Sequence, residues 1–473
     1  MADRITKNLP RFMIAAEKSG QGKTMLTCAL LSILKSEGMK VVAYKCGPDY
    51  IDPMFHRRVL GVPSHNLDSF FSNENQLSCL MGRSAGKYAD RVPEGRGRIA
   101  VVEGVMGYYD GLGGTTEKAS SYETAKLTKT PVILIADASG RSLSVLAAIR
   151  GFLSYRQDSN IRGILFNRLS PMLYPALKEK AEQELGIRVA GYIPVLKDFS
   201  LESRHLGLIM PEEIPEFKEK TERLADRIRP GIDMEALLAI AGEAKPLSWV
   251  PKPTAAVKKK DGTAPVIAVA MDEAFCFYYQ DNLDTLEDMG ARLLYFSPLR
   301  DKKLPEEADG LYLGGGYPEL YGKELSENRS MQESIKKALL KKMPCIAECG
   351  GFLYLKEWMA DREGIRRPMC GVLPGGSRDT GKLTRFGYGL LTSREDGLLG
   401  PAGSSFPVHE FHHWDSEENG NAFRFQKPVG IRGWDCGYQT ESLYAGFPHL
   451  YFYGHYPLEF VKKAACWKEE REE

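Results

Sequence analysis

One stretch near the start of the chain has the residue order of a phosphate-binding loop. In residues 11–24 an apolar run leads into a glycine-bearing loop and then into Gly-Lys-Thr. Backbone N–H groups of such a loop wrap phosphate oxygens, the lysine reaches the outer phosphates, and the threonine hydroxyl reaches a bound Mg²⁺. The sequence therefore predicts nucleoside triphosphate binding by Ser19, Gly20, Gln21, Gly22, Lys23 and Thr24.

The loop departs from the ordinary phosphate-loop pattern at one position. That pattern has a glycine five places before Gly22, where this chain has Glu17. Residues 18–24 instead resemble the variant loop that carries a second lysine, here Lys18. A plain glycine-rich turn is the alternative, but Gly-Lys-Thr between a strand and a helix favours nucleotide binding. Whether Lys18 contacts phosphate or points to solvent stays open.

A second stretch, residues 344–352, has the order of a thiol nucleophile on a sharp turn. An apolar strand ends at a Cys-Gly-Gly sequence, and a helix is predicted over residues 352–359. A helix N-terminus favours the thiolate of Cys349, and backbone N–H groups at the following glycines, including Gly350, can face an oxyanion. Such a thiolate opens amides through a thioester. A cysteine that packs as a small hydrophobe is the alternative, which we accept for Cys345.

Short apolar runs alternate with helical stretches around the first motif, which predicts a parallel sheet covered on both faces. Ligands of such sheets collect at the carboxyl ends of the strands. Acidic residues follow the strands predicted at 41–45 and 99–103. We predict that Asp49 and Glu103, with Thr24, hold Mg²⁺ beside the phosphates. Turn formation is the alternative for an acidic residue beside glycine or proline.

Composition sets the number of domains and excludes several classes of protein. A chain of 473 residues needs more than one core. The balance of 63 basic and 62 acidic residues, with no long basic run, argues against a nucleic-acid partner. Apolar runs are too short to span a membrane, the start lacks the apolar core of a secretion signal, and nine scattered cysteines suit a reduced cytoplasmic protein. We expect domains at 1–245 and 265–473, joined by a Pro- and Lys-rich linker at 246–264.

Four segments give the chain a family resemblance: KCGPDYIDPMFH from Lys45, NLDSFF from Asn66, EGVMGYYDG from Glu103 and ESRHLGL from Glu202. They resemble the synthetase domain of cobyrinic acid a,c-diamide synthases, which are glutamine-dependent amidating enzymes of the corrin pathway. The resemblance implies an α/β fold, with an N-terminal dethiobiotin-synthetase-like ATP domain and a C-terminal glutamine amidotransferase domain. It also implies that nucleotide, metal or substrate contacts come from Lys45, Asp49, Tyr50, Asp52, Glu103, Asp110, Asn167, Arg168, Arg204 and His205. Of these, Asn167 and Arg168 would lie by the adenine, and Arg204 and His205 would meet the acidic macrocycle.

The second half of the chain resembles the glutaminase domains of the same family. The resemblance makes His449, which precedes a predicted apolar strand at 450–453, the base for Cys349, with His455 as the runner-up. Many related glutaminases have a glutamate two places after this histidine, where the chain has Tyr451, so the third member stays unassigned. The oxyanion loop implied by the resemblance comprises Gly315 and Gly316, together with Gly350.

The sequence HEFHH, which begins at His409, fits the H-E-x-x-H pattern of zinc proteases. That chemistry needs both histidines on one face of a helix, and the flanking residues lack helix start and stop signals. The segment also resembles the HEFH segment near the glutaminase site of the family. We therefore predict that His409 or Glu410 orients partners and that no zinc site forms.

The implied reaction is amidation of the a and c carboxylates of cobyrinate through acyl phosphates. Its substrates are a corrinoid or other tetrapyrrole, glutamine and ATP, and Mg²⁺ is the implied cofactor. Amidation of nickel-sirohydrochlorin is the nearest alternative, because both macrocycles carry peripheral carboxylates. A phosphate-loop ATPase switch with a non-catalytic C-terminal module is the alternative from another class. A homodimer also stays open.

Overall fold

The computed structural model describes residues 3–87, 97–196, 217–251, 256–454 and 457–468. The chain folds as two compact units, Met1–Lys252 and Pro253–Glu473. Arg204, His205 and His455 lie outside the described residues. No helix in the described part of the chain is long and apolar enough to cross a membrane.

A seven-stranded parallel sheet forms the centre of the first unit. Its strands are β2 (Arg11–Ala16), β3 (Lys40–Cys46), β4 (Ser64–Leu67), β5 (Arg98–Glu103), β6 (Val132–Asp137), β7 (Ile161–Asn167) and β8 (Arg188–Ile193). Their order is β4-β3-β5-β2-β6-β7-β8, and every neighbouring pair is parallel. The central strands are buried along almost their whole length, as the continuous apolar runs predict for a parallel sheet. β2 and β5 are neighbours, so the phosphate loop and Glu103 meet at one edge.

Helices connect these strands, and their ends follow local sequence signals. They are α1 (Lys23–Ser36), α2 (Ile51–Arg58), α3 (Glu74–Lys87), α4 (Ser121–Leu127), α5 (Ser144–Tyr155), α6 (Tyr174–Leu185), α7 (Phe217–Ile228) and α8 (Met234–Gly242). Ser120 caps α4 by accepting the N–H of Glu123, and Asp233 caps α8 in the same way. Gly186 ends α6 in the left-handed conformation.

The first residues of the predicted linker belong to the first unit. β9 (Leu247–Trp249) pairs antiparallel with β1 (Ile5–Lys7). The Trp249 ring is buried and packs directly on the backbone of α3, where a Cβ added to Gly82 would lie 2.2 Å from the ring. Residues 247–249 therefore form a strand that packs against the first unit, because the absence of a side chain at Gly82 leaves room for the Trp249 ring on α3.

The second unit contains three sheets. Its strands are β10 (Val266–Ala270), β11 (Arg292–Phe296), β12 (Gly310–Leu313), β13 (Cys345–Glu348), β14 (Lys356–Ala360), β15 (Arg366–Pro368), β16 (Leu373–Asp379), β17 (Arg385–Ser393), β18 (Ser405–His412), β19 (Trp414–Ser416), β20 (Phe423–Gln426), β21 (Gly433–Cys436), β22 (Tyr438–Gln439), β23 (Leu443–Gly446) and β24 (His449–Leu450). The main sheet has the order β11-β10-β12-β13-β23-β22 and is parallel from β11 to β23. The smaller sheets have the orders β15-β14-β16-β19 and β21-β20-β17-β18-β24.

The helices of this unit are α9 (Gln280–Asp288), α10 (Gly322–Glu327), α11 (Arg329–Leu340), α12 (Gly350–Tyr354) and α13 (Leu458–Cys466). The helix predicted over 352–359 is wrong beyond Tyr354. Residues 356–360 instead form β14, whose Trp358 packs onto Gly376 of β16. Pairing with two strands outweighs a local helical preference, which amounts to only a few tenths of a kcal/mol per residue.

Candidate functional site

The phosphate loop joins β2 to α1 and has the backbone geometry that the sequence predicts. Gly22 occupies the left-handed region (φ 77°) immediately before α1, a conformation that favours glycine. Lys23 is buried and donates from Nζ to the carbonyl oxygens of Lys18 at 3.3 Å and Met106 at 2.5 Å. Burial, with the neighbouring Lys45 ammonium, lowers the pKa of Lys23 to about 8. Lys23 thus contacts backbone oxygens at the place where phosphate would bind, while the Lys18 side chain is exposed.

Behind the loop lies a buried cluster that combines a hydroxyl, carboxylates and a lysine. Thr24 Oγ1 donates to Glu103 Oε1 at 2.7 Å and lies 3.2 Å from Asp52 Oδ2. Lys45 Nζ lies 2.7 Å from Glu103 Oε1, 2.5 Å from Asp52 Oδ2 and 3.9 Å from Asp49 Oδ2. Asp49 Oδ1 accepts the N–H groups of Ile51 and Asp52 at the start of α2. The structure therefore brings Asp52 to Thr24, while Asp49 mainly stabilises a helix end.

This cluster contains more carboxylates than ammonium groups. Three carboxylates face one ammonium, and Glu103 Oε2 has no hydrogen-bond partner among the described residues. Burial and the adjacent Asp52 carboxylate raise the pKa of Glu103. Burial alone would lower the pKa of Lys45, but the carboxylates of Asp52 and Glu103 outweigh it and hold that pKa above its ordinary value. Mg²⁺ needs only one or two protein carboxylates when phosphates and water complete its coordination, so Thr24, Asp52 and Glu103 are the candidates to hold it.

Two further predicted residues lie around this cluster. Asp110 Oδ2 accepts the N–H of Gly107 at 3.0 Å, which closes the loop whose Met106 carbonyl accepts from Lys23. Tyr50 is half-buried and directly precedes α2. The structure therefore gives Asp110 a role in shaping the loop.

A cavity beside the phosphate loop has the composition of a base pocket. It is lined by loop residues, by Asn167 and Arg168, and by apolar side chains of α1, β8 and α7, namely Leu26, Ile193, Leu224 and Ile228. Asn167 Nδ2 donates to the Gln21 carbonyl at 3.1 Å. Arg168 adopts φ 59°, and its guanidinium donates to both carboxylate oxygens of Asp137. Asn167 and Arg168, which we predicted to lie beside the adenine, thus line the same cavity as Gly20 and Gly22.

In the second unit, Cys349 lies on a sharp turn between β13 and α12. Its backbone is strained, with φ 48° and ψ −102°, and its N–H donates to the Gly446 carbonyl at 2.8 Å. This is the strand–turn–helix arrangement that presents a nucleophile. The thiol is buried, and burial, with the nearby Glu319 carboxylate, raises its pKa above the ordinary value. Burial therefore opposes the thiolate that the helix N-terminus is predicted to favour, because desolvation raises the pKa of this thiol.

His449 and the glycine loop complete this second site. β24 begins at His449 and ends at Leu450, so it is shorter than the strand predicted at 450–453. A Cβ added to Gly315 would lie 2.6 Å from His449 Cε1, so the imidazole directly faces the loop. A Cβ added to Gly350 would lie 3.2 Å from the Gly316 nitrogen, so the turn after Cys349 also packs on this loop. The predicted nucleophile turn, base and oxyanion loop therefore meet at the carboxyl ends of β12 and β13.

The first four residues of the HEFHH segment belong to a strand rather than a helix. His409 and Glu410 belong to β18, and His409 is paired with His449 in the neighbouring β24. His412 stacks on Phe447, with ring centroids 3.7 Å apart. In the part of the chain that the structure describes, no group of three or more His, Cys, Asp or Glu side chains could hold a metal ion. The segment thus lies beside the base as part of a β-sheet.

Sequence reasoning missed Glu348, the last residue of β13. Its Oε2 lies 3.7 Å from His449 Nδ1, and both side chains are buried. The only sequence signal is its position immediately before Cys349, which by itself indicates nothing about the direction of the side chain.

Comparison with known proteins gives matches to both units. Residues 12–209 match the CobQ/CobB/MinD/ParA nucleotide binding domain, and residues 266–456 match the CobB/CobQ-like glutamine amidotransferase domain. The cobyrinate a,c-diamide synthase of Listeria innocua serovar 6a is 39% identical over 448 residues, covering 94% of this chain and 96% of that protein. The protein of the same name from Caldanaerobacter subterraneus subsp. tengcongensis is 41% identical over 445 residues, covering 93% of this chain and 95% of its own length. A third relative of that name, from Thermoplasma volcanium, is 35% identical and covers 98% of this chain and 99% of its own length. This similarity runs through both units and both sites, and the chain therefore belongs to the cobyrinate a,c-diamide synthase family.

Proposed function

We propose that this protein amidates the a and c carboxylates of cobyrinate, using ATP and the amide nitrogen of glutamine. The observation that carries the proposal is that one chain holds both a phosphate loop backed by a carboxylate cluster and a Cys–His pair facing a glycine loop. The relatives that match nearly the whole chain are named cobyrinate a,c-diamide synthase, which supports cobyrinate as the substrate.

The first unit would activate the carboxylate. A carboxylate oxygen of the macrocycle attacks the γ-phosphorus of ATP, ADP leaves, and an acyl phosphate forms. Lys23 supplies positive charge to the transferring phosphoryl group, and Asn167 and Arg168 line the pocket for the base. Mg²⁺, held by Thr24, Asp52 and Glu103, would neutralise phosphate charge.

The second unit would release ammonia. Cys349 Sγ attacks the side-chain amide carbon of glutamine while its proton passes to His449, because burial disfavours the free thiolate. N–H groups of the Gly315–Gly316 loop and Gly350 face the developing oxyanion. His449 then protonates the leaving nitrogen, and water hydrolyses the thioester to glutamate. Ammonia displaces phosphate from the acyl phosphate and yields the amide.

Mass spectrometry of the product tests the proposal. Purified protein with cobyrinate, glutamine, ATP and Mg²⁺ should give masses for one and then two carboxylate-to-amide conversions. Nickel-sirohydrochlorin, offered under the same conditions, should be converted with a lower kcat/KM. Absence of diamide while a known synthase makes it in a parallel reaction would refute the proposal, and a preference for the nickel macrocycle would reassign the substrate.

A further inference from the structure

Glu348 is a buried carboxylate that contacts the catalytic histidine. Its Oε2 lies 3.7 Å from His449 Nδ1 and accepts the Tyr312 hydroxyl at 3.1 Å. Its Oε1 accepts the N–H of Leu450 at 3.0 Å. Glu348 is 2% exposed, so these contacts are shielded from water. One carboxylate thus holds the backbone next to His449 and faces its ring.

The two ring nitrogens of His449 face different groups. Nδ1 faces Glu348, whereas the Cε1–Nε2 edge faces Gly315 in the oxyanion loop. A neutral imidazole carries its proton on one nitrogen, and a carboxylate beside Nδ1 favours the proton there. Nε2 is then the nitrogen that can accept a proton on the side where glutamine would bind. The 3.7 Å separation is longer than a hydrogen bond, as catalytic contacts in substrate-free enzymes often are.

In many related glutaminases a glutamate two places after the histidine is the third member of the catalytic group. The residue at that place in this chain has other contacts. Tyr451, two residues after His449, donates from its hydroxyl to Asp281 Oδ2 at 3.3 Å and packs edge-on against Tyr279. Glu348 instead reaches the histidine from the end of β13, immediately before the turn that carries Cys349. The nucleophile and a carboxylate that faces its base are therefore consecutive residues of the chain.

We infer that Glu348 is a positioning residue of the glutaminase reaction, which orients His449 through Nδ1 and stabilises the imidazolium formed after proton transfer. The inference rests on the proposed function and deepens it. During the reaction the Sγ proton moves to Nε2 as the S–C bond forms, and Nε2 returns it to the nitrogen as the C–N bond breaks. The proton thus moves only between Sγ, Nε2 and the leaving nitrogen, and Glu348 takes no part in the transfer.

The test is glutamine hydrolysis by the full-length protein with Glu348→Gln, Glu348→Asp, His449→Ala and the double variant Glu348→Gln/His449→Ala. Glu348→Gln should lower kcat by about 10²-fold, with KM for glutamine changed by less than about threefold, since only the transition state is affected. Glu348→Asp should recover part of this loss because it keeps the charge. In the His449→Ala background, Glu348→Gln should lower kcat no further.

Asp309→Asn is the matched control, because Asp309 is also a buried carboxylate. It lies immediately before β12, whereas the glycine loop of the glutaminase site follows the other end of this strand. Asp309→Asn should leave glutamine hydrolysis unchanged, and every variant should keep ammonia-driven synthesis. A Glu348→Gln enzyme with wild-type kcat, or losses that multiply in the double variant, would overturn the inference. If Glu348→Gln does not fold, Glu348→Asp in both backgrounds decides by the same comparison. A wild-type protein that hydrolyses no glutamine would instead count against the proposed function.

Discussion

At the scale of single residues, burial shifts the pKa of one reactive group in each site. Lys23 and Cys349 are both buried, and in each case burial disfavours the charged form. Lys23 keeps contacts to carbonyl oxygens, whereas burial disfavours the Cys349 thiolate, so the proposed reaction needs a base such as His449. Burial therefore leaves the Lys23 ammonium in place below about pH 8, whereas it opposes formation of the Cys349 thiolate.

Lys23 gives ATP binding a pH dependence. Its pKa of about 8 means that the ammonium is present below pH 8 and is lost as the pH rises through that value in the free protein. Binding of triphosphate above pH 8 must then take up a proton, so the Kd for ATP should rise by up to about tenfold per pH unit. Titration with a fluorescent ATP analogue between pH 7 and 9.5 measures this. Lys23→Met should bind more weakly and show a flat profile, and a sloping profile in that variant would exclude Lys23 as the cause.

Asp49 and Asp52 form a matched pair for the metal site. Asp52 lies against Thr24, whereas Asp49 accepts N–H groups at the start of α2. We expect Asp52→Asn to abolish the gain in ATP affinity on adding Mg²⁺. Asp49→Asn should keep that gain and change stability little, because an asparagine side-chain oxygen can accept the same N–H groups. Calorimetric titrations with and without Mg²⁺ distinguish the two, and the reverse result would return the metal role to Asp49.

At the scale of elements, sequence patterns predicted the strands, helices and turns that depend on residues close together in the chain. The strands and the helix around the phosphate loop, and the turn at Cys349, follow from apolar runs broken by glycine. The contacts of Asp52 and Glu348 depend on side-chain directions fixed only when distant strands pair, so spacing could not predict them. β14 shows the same limit, because its partner β16 begins only at Leu373. Local sequence therefore predicts elements better than the contacts between them.

The docking of β9 on α3 is an element-scale feature that can be tested. A Cβ on Gly82 would lie 2.2 Å from the Trp249 ring, so Gly82→Ala should destabilise the first unit by about 1–3 kcal/mol through overpacking. Gly86→Ala is the matched control on the same helix, because its added Cβ meets only Lys7 Nζ at 3.6 Å. Urea unfolding monitored by tryptophan fluorescence measures both variants. Equal stability of the two would show that Trp249 does not pack against α3 in solution.

At the scale of the whole molecule, the proposed reaction separates into two half-reactions with different requirements. The carboxylate cluster and phosphate loop belong to Met1–Lys252, and Cys349, His449 and the glycine loop belong to Pro253–Glu473. Ammonia supplied from solution can replace the product of the second unit, but nothing can replace ATP in the first. Removing the reactive residue of each unit should therefore abolish a different part of the proposed reaction.

Cys349→Ser and Lys23→Ala test this asymmetry. Cys349→Ser should lose glutamine-driven synthesis by more than about 10³-fold and keep synthesis driven by ammonium chloride near pH 8.5, where free ammonia is appreciable. Lys23→Ala should lose synthesis from either nitrogen source but still hydrolyse glutamine. Product mass spectrometry and glutamate release, measured on the same samples, separate the two outcomes. A Cys349→Ser protein that still used glutamine would contradict the nucleophile assignment, whereas a wild-type protein with ATPase activity but no glutamine hydrolysis would favour a nucleotide switch whose second unit only binds partners.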